Sequence, residues 1–185
     1  STEYWQRRGS LVHTDTQGGD LPLPETVRLY HWTSTQHTSD PNLKMPQTSA
    51  GTAYLNVAQT SMLFRAMLDA MDRWAKDGVP PPPSRYPTRA DGTLVPYAVW
   101  KTQFPAIPGQ PIPQGLNELP FMDFGPNAAA GILEQEPPLV LNEAAYTVLA
   151  PAVDADGIDT SGVAAPMVQA PLGTYVGWNV RQRGH

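Results

Sequence analysis

The segment "YHWTSTQH" at residues 30–37 draws attention first, because it holds two of the four histidines in the chain. His31 falls inside an apolar-alternating run, whereas His37 follows that run in the polar stretch "TSTQHTSDP". An imidazole just beyond a strand end is exposed and titrates near neutral pH, as a general base requires. The alternative for His37 is a surface histidine in a loop. A catalytic histidine also needs an orienting carboxylate on one ring nitrogen and a nucleophile on the other.

Several carboxylates in the sequence qualify as partners for His37. Glu3 lies 34 residues upstream in "STEYW", and Asp15, Asp20 and Asp40 compete with it. Spacing alone does not choose among these four. The serine motif G-x-S-x-G, which exposes a nucleophile between a strand and a helix, does not occur in the sequence. The residues therefore indicate either a different mechanism or a nucleophile on another piece of polypeptide.

The elements that position these residues are predicted from hydrophobic periodicity. "ETVRLYHW" alternates Val27, Leu29 and His31 with large residues of the other face, which predicts a buried strand from about Thr26 to Thr33. His37 then lies on the loop that follows this strand.

A helix is predicted over residues 56–77, where apolar side chains recur every three or four residues. Asn56 is the predicted N-cap, and Gly78 followed by "VPPPP" predicts the end of the helix. The breadth of the apolar stripe predicts that the helix packs flat on a sheet rather than along a coiled-coil seam. The stripe comprises Leu63, Met67, Ala70, Met71 and Trp74, widened by Phe64, Leu68 and Ala75.

The second part of the chain is rich in proline, with 17 of the 21 prolines after residue 77. Proline removes a backbone donor and interrupts regular structure, so helices and long strands become rarer there. We expect residues 79–185 to form an extended segment with short β-strands and Asp-Gly turns, wrapped on a core portion formed by residues 1–78. "APLGTYVGWNVR" near the end is interpreted mainly as a structural segment that binds the tail to the body.

Composition excludes several classes of function. The net charge is −5 without a basic run, so nucleic acid is not an expected partner. No apolar stretch approaches the roughly 20 residues that cross a bilayer, and no membrane partner is expected. The absence of cysteine excludes disulfides and thiolate chemistry. Charged residues make up only 16% of the sequence, so we expect some surface to face protein. Because the sequence begins with Ser1, we also expect an upstream segment.

Six blocks of the sequence, taken in order, resemble the C-terminal half of a bacterial α/β-hydrolase family whose members are known as alpha/beta hydrolase domain proteins. The resemblance covers nearly the whole chain and implies a serine-esterase-like hydrolase. The blocks are "STEYWQRRGSLVHTD", "LPETVRLYHWTSTQH", "MLDAMDRWAKDGVPPPPSRYPTRADGTLVP", "FPAIPG", "VLAPAVDADG" and "APLGTYVGWNVR".

The resemblance implies an α/β fold class, with the last strands of the hydrolase sheet and a long helix in this chain. It implies that Glu3 is the triad acid, that His37 is the triad histidine and that His31 is a packed histidine, with Asp15 as the runner-up acid. The serine, the oxyanion-hole loop and most of the sheet have no counterpart here, so the implied partners are the N-terminal part of the same hydrolase and a small ester substrate. No cofactor is implied.

Two other functions remain open on the residues alone. His13, Asp15, His31 and His37 could supply metal ligands, although a separation of six residues between His31 and His37 is not a recognised zinc spacing. A non-catalytic carbohydrate-binding or structural module is the second alternative, since exposed tryptophans can stack on sugars, whereas buried ones belong to a core. The five tryptophans are Trp5, Trp32, Trp74, Trp100 and Trp178.

Overall fold

The computed structural model describes residues 1–37, 42, 45 and 47–184, apart from the side chains of residues 142–144. None of the helices in this described part is long and apolar enough to cross a membrane. The helices are α1 (Thr2–Gln6), a 3₁₀ turn (Gly9–Val12), α2 (Ser61–Asp77), α3 (Tyr97–Gln103), a second 3₁₀ turn (Ala128–Ala130) and α4 (Pro166–Gln169). The strands are β1 (Leu94–Val95), β2 (Pro120–Asp123), β3 (Leu139–Ala145) and β4 (Ala150–Pro151).

Within the described residues the strands form two small antiparallel sheets. β1 pairs with β4, and β2 pairs with β3 through a register shift after Pro120. β4 leads into a turn in which the Asp154 amide donates to the carbonyl of Ile158 at 2.9 Å and Gly157 has a positive φ of 77°. This region after residue 78 therefore contains short strands and a turn at Asp156-Gly157.

The predicted strand over residues 26–33 is not a regular strand. With the other described residues the segment forms two isolated parallel bridges, from Tyr30 to Arg85 and from Trp32 to Val163. A ladder needs a continuous row of backbone donors on the neighbouring chain, and the segment beside Tyr30 lies between four consecutive prolines and Pro87. The pairing therefore stops after single bridges, and the prediction of a strand from Thr26 to Thr33 was wrong.

Helix α2 ends where the sequence predicts but begins later. Gly78 takes the left-handed conformation with φ of 68°, and its amide donates to Trp74 at 3.1 Å. The helix begins at Ser61, and the side chain of Asn56 instead donates to the carbonyls of Ser34 and Val176, at 2.7 and 2.8 Å. The Asn56 side chain thus links two loops by hydrogen bonds, and the prediction of Asn56 as the N-cap was wrong.

The predicted packing of α2 on a sheet is not present within the described chain. No residue of the helix is buried. Phe64, Leu68 and Met71 remain 59%, 69% and 57% exposed, although the ring of Phe64 meets the edge of Trp32 at 5.6 Å between centroids. An apolar stripe of this kind is normally covered. We refer to Phe64, Leu68 and Met71 as the outer stripe of α2.

The largest core cluster joins α1 to the proline-rich segment. Trp100 of α3 is 1% exposed and meets Trp5 of α1 at 4.5 Å between ring centroids in an edge-to-face arrangement. Trp178 packs against the same two rings, at 6.0 and 6.1 Å. The tail segment is therefore bound to the body, as its structural interpretation requires. Buried residues of the cluster are Trp5, Val95, Trp100, Phe104, Ala150, Ala152 and Val153.

Gly162 allows the closest approach between the 31–33 segment and the segment after β4. Its φ is 103°, and a β-carbon at this position would lie 2.4 Å from the carbonyl oxygen of His31. We expect Gly162→Ala to lower the free energy of unfolding by more than about 1 kcal/mol, because alanine adds both a collision and an unfavourable φ. Urea denaturation measures this change. Gly173→Ala, where a β-carbon has nothing within 4 Å, is the matched control, and equal stability of the two variants would contradict the assigned contact.

Candidate active site

Helix α1 presents Glu3 at the surface between buried neighbours. Tyr4 and Trp5 are each 6% exposed and enter separate core clusters, whereas the Glu3 side chain remains 45% exposed. Gly9 packs against the backbone of Glu3, where a β-carbon would lie 3.0 Å from its carbonyl carbon. The aromatic side chains thus anchor the five-residue helix in the core. The Glu3 side chain, in the first turn, is exposed at the surface.

A backbone hydrogen bond ties α1 to the segment that carries His37. The amide of Thr2 donates to the carbonyl of Thr35 at 3.2 Å, and the hydroxyl of Thr2 donates to the carbonyl of Gly177. Glu3 and His37 lie one and two residues beyond this link. The side-chain contact follows, because Nδ1 of His37 hydrogen-bonds Oε1 of Glu3.

The orientation of the His37 ring leaves its second nitrogen free for chemistry. A carboxylate only accepts hydrogen bonds, so Nδ1 carries a proton, and in the neutral form of the ring Nε2 then has the lone pair. Nε2 makes no hydrogen bond to any residue in the described ranges, and the side chain is 63% exposed. This tautomer can accept a proton at Nε2 while the carboxylate stabilises the resulting imidazolium.

The competing carboxylates within the described chain have other partners. Asp15 accepts hydrogen bonds from the amides of Gln17 and Gly19, at 2.9 and 2.8 Å, and thereby closes its own turn. Asp20 accepts from the amides of Arg89 and Ala90, at 2.9 and 2.8 Å. Asp40 lies outside the described residues. Among the described candidates, Glu3 is therefore the carboxylate that contacts His37.

His31 is buried, as its prediction as a packed histidine requires, and it has a partner that sequence reasoning missed. Its Nε2 lies 2.9 Å from Oδ2 of Asp159, with side-chain exposures of 3% and 7%. Burial lowers the pKa of His31. Burial alone would raise the pKa of Asp159, but hydrogen bonds from His31 and from the Ser34 amide hold that pKa below its usual value. A neutral imidazole therefore donates to an ionised carboxylate.

His13 occupies a second buried position, behind Glu3 and α1. It is 1% exposed, and its Nε2 lies 2.8 Å from the hydroxyl of Tyr4. Its ring also meets Tyr86 edge-on at 4.8 Å between centroids. Burial lowers the pKa of His13 and raises that of Tyr4, so both side chains are neutral near pH 7. The pair packs in the interior, and neither side chain is hydrogen-bonded to His37.

The described structure gives little support to the two alternatives, a metal site and a carbohydrate-binding surface. Within the described residues, no three histidine or carboxylate side chains converge as metal ligands, since His13, His31 and His37 each have a separate partner. Trp5 and Trp100 are buried in the core and present no face for a sugar.

The described fold has few helices and small sheets, consistent with part of an α/β fold, and its exposed histidine–carboxylate pair suits proton transfer in a hydrolase. The chain belongs to the family described as alpha/beta hydrolase domain, which matches residues 3–184. This match confirms the resemblance seen in the sequence. No curated protein and no solved structure matches the chain.

The neutral state of His13 gives stability a dependence on pH. An unfolded histidine titrates at about pH 6.5, while burial holds the folded pKa lower, so below that pH the unfolded chain binds the proton first. Stability contributed by His13 is therefore present above about pH 6.5 and falls with decreasing pH, by at most about 1.4 kcal/mol per unit. We expect His13→Gln to show a smaller loss of unfolding free energy between pH 7 and pH 5 than the parent. Urea denaturation at both pH values tests this, and identical losses would contradict it.

Proposed function

We propose that this chain supplies the histidine and the acid of a Ser-His-acid triad that cleaves carboxylic esters. The observation that carries the proposal is the hydrogen bond from His37 Nδ1 to Glu3, which leaves Nε2 without a partner among the described residues on a side chain that is 63% exposed. Membership of the alpha/beta hydrolase domain family supports the same chemistry. In that fold the acid and the histidine follow the nucleophile in the chain, and Glu3 precedes His37 here.

The nucleophile in this proposal is a serine on the N-terminal part of the same hydrolase. Nε2 of His37 accepts the serine proton as the hydroxyl oxygen attacks the ester carbonyl. The imidazolium then protonates the leaving alkoxide, and an acyl-enzyme remains. In the second half of the reaction His37 accepts a proton from water, hydroxide attacks the acyl carbon, and the serine leaves with the returned proton.

Glu3 has two tasks in this reaction. Its carboxylate keeps the proton on Nδ1, so that Nε2 is the basic nitrogen in the resting state. It also lowers the energy of the imidazolium that forms in both half-reactions. A neutral amide in its place would still accept from Nδ1–H, but it would not stabilise the positive charge to the same extent.

Substitutions in the intact protein, which includes the serine-bearing part, test the two roles. We expect His37→Ala to lower kcat for a p-nitrophenyl ester by roughly 10³-fold or more, because the general base is lost. Glu3→Gln should lower kcat by roughly 10²-fold or more, because the charge that supports the imidazolium is lost. Steady-state kinetics with circular dichroism as a check on folding provide the measurement.

Asp15→Asn is the matched control for these variants. It makes the same change of acid to amide on a nearby turn, and its remaining oxygen can still accept from the Gln17 and Gly19 amides. We expect this variant to keep activity within about threefold of the parent, as a surface change with little structural effect. Activity of His37→Ala within tenfold of the parent would refute the assignment of the base. Loss of activity in Asp15→Asn but not in Glu3→Gln would transfer the acid role to Asp15.

The outer stripe of α2 supports the proposal that the serine-bearing part packs against this chain. Its apolar side chains stay more than half exposed within the described residues, and the sequence has an unusually low charged fraction of 16%. A helix that covers one face of a hydrolase sheet would bury such a stripe. The missing sheet is the proposed occupant, because it belongs to the same fold as the missing nucleophile.

Paired substitutions on α2 test this packing in the intact protein. We expect Leu68→Asp to lower the free energy of unfolding by about 2 kcal/mol or more, because a carboxylate would replace a buried apolar side chain. Ala66→Asp introduces the same residue at an exposed position on the opposite side of the helix and is expected to cost under about 1 kcal/mol. Denaturant titration compares the two. Equal costs would show that the outer stripe remains exposed to solvent in the intact protein.

A further inference from the structure

The turn that precedes His37 contains an unusual backbone conformation. Ser34 has φ of 53°, in the left-handed region, and is fully buried. A residue with a β-carbon is unfavourable there by roughly 1–2 kcal/mol unless other contacts fix it. Ser34 lies three positions before His37, so its conformation sets the direction in which the chain leaves towards the imidazole.

The contacts that fix Ser34 come from Asp159. The amide of Ser34 donates to Oδ2 of Asp159 at 2.7 Å, and the amide of Asp159 donates back to Oγ of Ser34 at 2.8 Å. This pair of hydrogen bonds closes a ring between two residues 125 positions apart. A hydrogen bond that an amide donates to a buried carboxylate is charge-assisted and therefore among the stronger ones in a protein interior.

His31 completes the attachment on the other side of the turn. Its Nε2 binds the same carboxylate oxygen that accepts from Ser34. Asp159 thus contacts the segment on both sides of Trp32 and Thr33, and the hydroxyl of Thr33 donates to the carbonyl of Ser161 at 2.9 Å. The segment from His31 to Ser34 is held to one short stretch after β4.

The turn at Ser34 also positions His37 and Glu3, the two members of the exposed pair. The carbonyl of Thr35, the residue after Ser34, accepts a hydrogen bond from the amide of Thr2. Glu3 follows Thr2 in α1. A rotation at Ser34 would therefore move His37 and change the register of α1 against the turn. The exposed contact between His37 and Glu3 is too weak to prevent this movement, since surface pairs contribute little to stability by themselves.

From these contacts we propose that Asp159 is a positioning residue for His37, acting through Ser34 and His31 to hold the turn from which the imidazole projects. This inference rests on the proposed function for its kinetic consequence, and on geometry alone for its structural one. Asp159 does not touch the reacting atoms. Its role is to keep the Nδ1 of His37 against Glu3 and the Nε2 in a constant place.

The kinetic test compares Asp159→Asn with Asp154→Asn in the intact protein. Asp154 lies on the same stretch and accepts from the amides of Asp156 and Ile158, contacts that an asparagine oxygen can keep. We expect Asp159→Asn to lower kcat by about 100-fold with KM within about twofold, because a neutral amide oxygen holds His31 and the Ser34 amide less strongly than the buried carboxylate does, and a small displacement of a catalytic group acts on the transition state more than on binding. Asp154→Asn should remain within about threefold of the parent.

A spectroscopic test does not depend on activity. In the parent protein, selective ¹⁵N labelling of histidine should give a hydrogen-bonded Nδ1 proton signal for His37 that Glu3→Gln perturbs. We expect Asp159→Asn to broaden or remove this signal, and Asp154→Asn to leave it unchanged. Glu3 is the titratable side chain that faces the ring in the described chain, so the signal reports that one contact.

The outcomes separate the two proposals. An active parent with an unaffected Asp159→Asn variant, in rate and in spectrum, would overturn the positioning role. A parent without esterase activity would refute the proposed function, and the Nδ1 signal would then decide the positioning role alone. If Asp159→Asn does not fold, Ser34→Ala, which removes only the acceptor of the Asp159 amide, serves for the same measurements. Loss of folding in both variants would assign the contacts to stability and overturn the proposal.

Discussion

The buried carboxylate of Asp159 is the constraint from which the arrangement of the described site follows. Burying an unpaired carboxylate costs several kcal/mol, so the chain around it must supply donors. His31 and the Ser34 amide supply them, and Ser34 donates from a left-handed conformation. Satisfying one buried charge therefore determines the path of the segment that ends at His37.

Regular secondary structure contributes little to this arrangement. The two sheets have two strands each, and the segment from Tyr30 to Trp32 forms single bridges rather than a ladder. The long-range order instead comes from side chains that bind backbone groups of distant loops. Asn56 joins Ser34 to Val176, and the Asn179 side chain binds the backbone of Ala53 in both directions. Each such bond contributes about 1 kcal/mol, but leaving its buried partner unsatisfied costs more.

The sequence predicts local features well and distant pairings poorly. The end of α2 at Gly78 follows from a glycine before four prolines, a signal contained within a few residues. The strand over residues 26–33 was predicted from alternation, but alternation cannot reveal that prolines on both sides limit the neighbouring segment to a short row of donors. The role of Asp159 was missed because no local sequence pattern indicates contacts with Ser34 and His31, which lie 125 and 128 positions away.

The pairing of Glu3 with His37 illustrates a different limit. Spacing left four carboxylates open, and only the resemblance favoured Glu3. In the structure the choice has a physical cause, since Asp15 and Asp20 are engaged by backbone amides of turns. Asp and Asn are common at such turns because a short polar side chain reaches amides two residues on. The longer glutamate side chain, on the exposed side of α1, is the one left to reach across to another segment.

The strength of the interaction between His37 and Glu3 depends on how far the pair is exposed to water. An ion pair in water contributes at most about 1 kcal/mol, because solvent screens the charges. The same pair excluded from water interacts several times more strongly, since the effective dielectric constant falls. β3 also exposes Leu139, Val140 and Leu141 in succession, on both faces of a two-stranded hairpin that is only marginally stable alone. If the proposed serine-bearing part covers these apolar surfaces together with the outer stripe of α2 and also encloses the His37–Glu3 pair, the same docking would stabilise the fold and strengthen the attraction between Glu3 and the imidazolium.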